Sequence, residues 1–130
     1  MNPYEYSVKL VEVYDGDTVI VDIDLGFDVW LRRQRVRLSG VDAPEIRTKD
    51  ASEKTLGHEA RDFLRLLLDP ITPTTLRLVC EKYDSHEKYG RILGDILIED
   101  PLQPPGMVWR SARDEMLAYG RGRAYDGGKR

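Results

Sequence analysis

Three acidic residues and two arginines stand where the surrounding apolar pattern has no use for them. In "VYDGDTVIV" (Val13–Val21), Asp17 opens a β-branched run, although Asp is depleted in strands. The Asp15-Gly16 pair before it reads as a hairpin turn, in which Gly tolerates positive φ and the Asp side chain caps its own backbone. That reading leaves Asp17 unused. "RLSGVDAPE" (Arg37–Glu45) places Arg37 near a strand end and Asp42 and Glu45 on the loop after it, and "KYGR" puts Arg91 at the opening of a further strand. Two carboxylates with a backbone carbonyl and waters make a hard-oxygen site suited to Ca²⁺ or Mg²⁺. A divalent cation there turns carboxylate repulsion into coordination. A carboxylate activates water, and guanidinium forks match phosphoryl oxygens and stabilise charge that develops in the transition state. Together these are the components of metal-assisted phosphodiester hydrolysis.

Taken singly, each residue has an ordinary role. Asp17 can cap the turn, Asp42 and Glu45 can be loop carboxylates, Arg37 a barrel-face ion pair and Arg91 a solvated turn residue. The set as a whole points to chemistry. His58 reads as a surface or capping residue near a helix start and His86 as solvated in a charged loop, so neither enters the site. Trp30 and Trp109 read as core or groove packing.

The elements must bring these residues together. "YSVKLVEVY" and "TVIVDIDL" read as strands, with Val19, Val21 and Ile23 alternating against Ile20, Asp22 and Asp24. "GFD" makes a turn. "VWLRRQRVRLSG" reads as a third strand, Val36 and Leu38 on one face and Arg33, Arg35 and Arg37 on the other. In such a meander the start of the second strand and the end of the third share one end of a hairpin, so Asp17 and Asp42 converge with Glu45 and Arg37 beside them. "VDAPEIRTKDASEKTLG" is polar and irregular. Leu56, Ala60, Phe63, Leu64 and Leu67 then follow helical spacing as far as Pro70. "TTLRLVCE" and "RILGDILI" are the fourth and fifth strands, with Gly94 marking a bulge or bend. "SARDEMLAYG" is a short helix capped by Ser111 and Asp114 and stopped at Gly120. The fold class expected is α+β, mainly β: a five-stranded OB-fold Greek-key barrel with one helix between strands 3 and 4 and a short helix after strand 5.

The bulk numbers agree with a globular chain. It has 130 residues, 41% hydrophobic and 33% charged, with a net charge of −3. One domain, 1–130, is expected. The single Cys80 cannot form an internal disulfide, so stability comes from packing, and the thiol reads as a small buried hydrophobe. No apolar run reaches transmembrane length, and the first residues lack the pattern of a secretory signal, so a cytoplasmic protein without a membrane partner is expected. The acidic balance argues against gripping duplex DNA by charge alone.

"YDGDTV", "RLSGVDAPE", "HEA", "EKYGR" and "MLAYGRGRAY", in that order, resemble the staphylococcal nuclease (thermonuclease) family from about Val8 to Tyr125. The resemblance implies an OB-type barrel and Ca²⁺-dependent hydrolysis of DNA and RNA that leaves 3′-phosphate products. It implies that Asp17 and Asp42 are the carboxylates of one Ca²⁺ site, with the backbone carbonyl of Ala43, where the family often has Thr, as a further ligand. Glu45 matches the proposed general base, which also reaches the metal through water. Arg37 and Arg91 match the phosphate-binding arginines. Lys88, Tyr89 and Tyr125 match positions that line the nucleotide pocket. The hairpin around "DLGFDVWLRRQ" is longer than in the secreted member, the family's C-terminal helix is expected to be shortened or absent, and the chain is acidic where that member is basic.

The partner expected is DNA, RNA or both, single-stranded rather than duplex, acted on by a monomer. The competing reading is a catalytically silent nucleic-acid or protein-binding module on the same fold. Such scaffolds tend to lose the acids or arginines, and here Asp17, Arg37, Asp42, Glu45 and Arg91 are all present. Because these positions read as polar loops and strand ends, their substitution is expected to spare the fold.

Overall fold

A computed structural model describes residues 4–69, 75–84, 91–100, 102–104 and 107–125, with Asp84 and Arg91 described by their backbone alone. The elements are β1 (Glu5–Asp15), β2 (Thr18–Asp24), β3 (Trp30–Leu38), β4 (Val41–Asp42), α1 (Ala51–Leu68), β5 (Leu76–Asp84), β6 (Arg91–Glu99), β7 (Trp109–Ser111), α2 (Ala112–Ala118) and β8 (Arg123–Ala124). The five long strands follow the order β3-β2-β1-β5-β6. β6 returns to pair in parallel with β3, matching Val36 with Ile92, Arg37 with Leu93 and Leu38 with Gly94. The result is a closed five-stranded barrel with two helices, mostly β, of the OB type. The short strands β4, β7 and β8 were not foreseen, because runs of two or three residues carry no periodicity.

Alternation drives the closure. Val19, Val21, Ile23, Val36, Leu38, Leu78, Ile96 and Ile98 turn inward and are at most 3% exposed. α1 plugs one end with Gly57, Ala60, Leu64 and Leu68 buried on a single stripe, and α2 adds Ala112 and Met116. Leu56 does not belong to that stripe: it is 53% exposed, one residue ahead of the buried Gly57.

The helix also starts earlier than the polar composition suggested. Asp50 is its N-cap, and its Oδ1 accepts the amides of Ser52 at 2.9 Å and Glu53 at 3.3 Å. His58 therefore lies inside the helix and caps nothing. Ser111 caps α2 as expected, accepting the Asp114 amide at 3.1 Å, and Gly120 ends that turn with φ +67°.

β3 departs from simple alternation twice. Gln34 faces Val21 but Leu31 faces Ile23, so an extra residue bulges there. Asp22 holds the bulge, accepting the Arg33 amide at 2.9 Å and Arg32 Nη1 at 3.1 Å. Those contacts, the Arg33 amide first, pull the Asp22 carboxyl below its ordinary value. At the other end of the strand Arg37 is buried at 7% exposure, although it sits on the face with the exposed Arg35. The fifth-strand bulge lies on the partner: Cys80 faces Gly94 and Lys82 faces Leu93, so the extra residue is Glu81 of β5.

The tryptophans are half-buried. Trp30 lies 5.0 Å from both Lys9 Nζ and the Arg32 guanidinium, and Trp109 lies 4.5 Å from that of Arg77. Cys80 is half-buried beside the core rather than within it, and burial pushes its thiol pKa up.

Candidate functional site

Asp17 and Arg37 meet where the β1–β2 connection touches the end of β3. Asp15 pairs with Thr18, which leaves Gly16 and Asp17 as the turn. Asp15 Oδ1 accepts the Asp17 amide at 3.1 Å, and the Asp17 carbonyl accepts the Leu38 amide at 2.7 Å. The Asp17 side chain is thereby aimed inward. Its Oδ1 accepts Thr18 Oγ1 at 3.2 Å and its Oδ2 accepts the Ala43 amide at 3.0 Å.

Arg37 ties this turn to the next. Its Nη1 lies 3.3 Å from Asp17 Oδ2, and its Nη2 lies 3.5 Å from Asp42 Oδ1. Nη1 also donates to the carbonyls of Leu38 at 3.1 Å and Val41 at 2.9 Å. One guanidinium thus spans both aspartates and the main chain of the β3–β4 turn. Burial, and then the hydrogen bond and charge shared with Asp17, push the Asp15 carboxyl up to about 6.

Close backbone approach sets the loop that carries Asp42, Ala43 and Glu45. Gly16 is not in the left-handed region, so the conformational freedom inferred from its turn motif is not what requires it. A Cβ there would stand 2.7 Å from Ala43 Cβ and 2.8 Å from Ala60 Cβ. Gly57 plays the matching part in α1: a Cβ would stand 2.7 Å from the Glu45 carbonyl oxygen. The loop is held between the hairpin turn and the helix because neither presents a side chain at the point of contact.

Tyr125 joins the site through β8. Arg123 and Ala124 pair with Asp42 and Val41, and the Tyr125 amide donates to the Gly40 carbonyl at 3.0 Å. This sets the tyrosine ring 5.9 Å from the Arg37 guanidinium. A groove of about 1210 Å³ opens alongside, lined among others by Asp42, Ala43, Pro44, Glu53, Arg121 and Tyr125.

The structure brings together Asp17, Arg37, Asp42, Ala43 and Tyr125. Ala43 offers its amide to Asp17 at 3.0 Å. Glu45 is exposed and its amide donates to Glu53 Oε1 at 3.3 Å. Among the described residues no three carboxylate, imidazole or thiol side chains gather as a metal cluster, so Glu45 does not join the aspartate pair directly. Arg91 opens β6, whose third residue, Leu93, pairs with Arg37; its side chain is not described. Lys88 and Tyr89 lie outside the described residues, as does His86.

One buried group escaped the sequence reading. Asp95, 5% exposed in β6, accepts the amides of Ile96 at 2.8 Å and Arg113 at 3.1 Å and the hydroxyl of Ser111. Arg113 Nη1 reaches on to Ser39 Oγ at 3.1 Å. This network pins the start of α2 to the β3–β4 turn that presents Asp42. The signal was available: "RILGDILI" contains an acid inside an apolar strand, the same anomaly that singled out Asp17.

Chemically, the arrangement offers two aspartates facing one guanidinium, an aromatic ring beside it and an open groove. Residues 35–128 match the family described as staphylococcal nuclease homologue. The thermonuclease of Staphylococcus hyicus is 38% identical over 94 residues, 71% of this chain and 48% of its own. The thermonuclease of Staphylococcus intermedius is 36% identical over 97 residues, 75% and 51% of the two chains. Endonuclease YhcR of Bacillus subtilis (strain 168) is 34% identical over 100 residues, 73% of this chain and 8% of its own. The chain spans about half the length of those two thermonucleases.

Proposed function

The chain belongs to the staphylococcal nuclease homologue family, and on that footing we propose that it is a calcium-dependent nuclease, hydrolysing phosphodiester bonds of DNA, RNA or both. The observation that carries this reading is the Asp17–Arg37–Asp42 cluster: two carboxylates at the two ends of one guanidinium fork, 3.3 and 3.5 Å away. Its acidic donors are all carboxylate oxygens, which fits a hard divalent cation. Asp17 and Asp42 would hold one Ca²⁺, with the Ala43 carbonyl and waters as further ligands and Glu45 reaching it through water. Bound there, the ion polarises the phosphate and offsets its developing charge.

The chain's own side chains do the rest. Arg37 has five N–H donors. Nη1 is committed to the Leu38 and Val41 carbonyls and one side of Nη2 faces Asp42 Oδ1 at 3.5 Å, so phosphoryl oxygens fall to Nε and the remaining N–H of Nη2. Arg91 supplies the second guanidinium. Glu45, exposed on its loop, takes the proton of the attacking water. Tyr125, with Lys88 and Tyr89, lines the nucleotide pocket, and the products carry a 3′-phosphate. The domain acts as a monomer. With a net charge of −3 it has few phosphate contacts with which to hold a duplex, and an unstacked base suits a tyrosine-lined pocket, so single strands are the preferred substrate.

The test is direct. Single-stranded DNA and RNA are incubated with the protein in Ca²⁺ or in EDTA, beside the Asp42→Asn variant. Degradation in Ca²⁺ alone, lost in a folded Asp42→Asn, is expected. Intact substrate with the parent protein in Ca²⁺ would overturn the reading in favour of a binding module.

A further inference from the structure

Outside the proposed catalytic cluster, two cations converge on one aromatic ring. Tyr14 is the extra residue in β1 where Val13 faces Val19 and Asp15 faces Thr18, and this bulge sets its ring beside β3. The guanidinium carbons of Arg35 and Arg47 each lie 5.1 Å from the Tyr14 ring centroid. Both arginines are exposed and Tyr14 is half-buried. Among the described residues neither arginine is paired with a carboxylate, whereas Arg32 pairs with Asp22 at 3.1 Å and Arg37 with Asp17 at 3.3 Å. Two like charges held against one ring are each stabilised by an anion in contact with the guanidinium.

Geometry says which anion. Arg35 lies two residues before Arg37 on the same face of β3, so their backbones are about 6.7 Å apart, close to the separation of neighbouring phosphates in an extended strand. Arg47 follows Glu45 by two residues on the loop that bears the candidate base. The pair of cations is therefore continuous with the place where a phosphodiester would react. It lies on the β1–β3 side, whereas Tyr125 approaches through β8.

We propose that Arg35 and Arg47, positioned by Tyr14, form a phosphate-binding track that holds a single-stranded nucleic acid beyond the reacting phosphate. The choice of ligand rests on the nuclease reading. The track adds contacts with successive phosphates, so it acts on longer strands and through charge rather than base identity. It also gives an acidic protein a local cationic path for its substrate.

Binding is measured without cleavage, by fluorescence anisotropy of a labelled twelve-nucleotide single-stranded DNA in EDTA across a salt series. The parent protein is compared with Arg35→Ser/Arg47→Ser and with Tyr14→Leu, each checked for an unchanged far-UV spectrum. The double variant is expected to bind roughly tenfold more weakly. Its slope of log Kd against log salt should fall by about 1.4, some 0.7 for each lost phosphate contact on a single strand. Tyr14→Leu should weaken binding and leave the slope unchanged, since it removes positioning and no charge. An unchanged slope and affinity in the double variant would overturn the track. So would a polyglutamate peptide of equal charge that competes as well as the unlabelled oligonucleotide. Failure of the nuclease reading shows separately, as absence of cleavage by the parent protein in Ca²⁺.

Discussion

Arg37 and Asp17 form an ion pair inside the end of the barrel: Nη1 stands 3.3 Å from Oδ2, with the side chains 8% and 10% exposed. A pair this enclosed is a structural commitment. Removing one partner leaves the other as a buried charge without compensation.

Arg37→Ala should therefore destabilise the protein by about 3–5 kcal/mol, because Asp17 loses its cation while the Leu38 and Val41 carbonyls lose a donor. This corrects the expectation that substitution at a polar strand end spares the fold. Adding Asp17→Asn should recover part of the loss, since the stranded charge is gone. Urea unfolding of both single variants and the double variant gives the coupling; strictly additive losses would contradict the pairing.

Gly57→Ala should behave opposite to helix propensity. In an open helix interior the change gains about 1 kcal/mol. Here the new Cβ meets the Glu45 carbonyl oxygen at 2.7 Å and Ile46 Cγ1 at 3.0 Å, so overpacking should cost about 1–3 kcal/mol net. If Glu45 is the base, displacing its loop by an ångström should also lower turnover on the order of 10²-fold. Thermal melting and cleavage rates check the two effects independently.

Asp95 gives a pH signature. Burial raises its carboxyl above the ordinary value, although Ser111 and the Arg113 amide pull the other way. The folded state thus binds that proton more tightly than the unfolded chain. Asp95 contributes most below the unfolded pKa and loses that contribution as pH rises through the folded one. Asp95→Asn has no such dependence. The parent's stability relative to Asp95→Asn should improve as pH is lowered from neutrality into the carboxylate range, as read by urea midpoints at each pH.

Phe27 sits fully exposed at φ +55°, between Gly26 at +82° and Asp28 at +64°. An aromatic residue in the left-handed region is strained by about 1–2 kcal/mol, a strain Asn tolerates better. Phe27→Asn should raise the denaturation midpoint by a stability gain of about 0.5–1 kcal/mol. A fall in the midpoint would mean that the ring makes contacts in solution that outweigh its backbone.

What could be read from the sequence followed from periodicity and misplaced charge. The five long strands, the buried valines of β2 and the convergence of Asp17 with Asp42 all came from alternation and hairpin geometry. The start of α1 was missed because Lys49–Thr55 is polar, although Asp50 and Glu53 stand at capping distance. The burial of Arg37 was missed because a guanidinium reads as solvent-facing until the two aspartates and two carbonyls that hold it are seen together. Gly16 and Gly57 could not be assigned, since a contact with Ala43 or Glu45 exists only once the helix has docked. The sequence marks Ser111 as a helix cap, but its link through Asp95 and Arg113 to Ser39 joins residues far apart in the chain.

The parallel seam between β3 and β6 also sets an order of assembly. Val36 and Ile92 are more than fifty residues apart, so closing the seam costs far more chain entropy than forming the β1–β2–β3 meander. That meander already contains Asp15, Asp17 and Arg37, and local hairpins form early. Asp42 and Tyr125 are clasped by β4 and β8, which pair across about eighty residues of chain, a wider separation still. Refolding should thus gather the three charged groups of the meander before β8 closes over them, and amide exchange at Ser39, whose N–H donates to the Gly94 carbonyl across the seam, should become protected later than exchange at Leu38, whose acceptor is the Asp17 carbonyl of the meander.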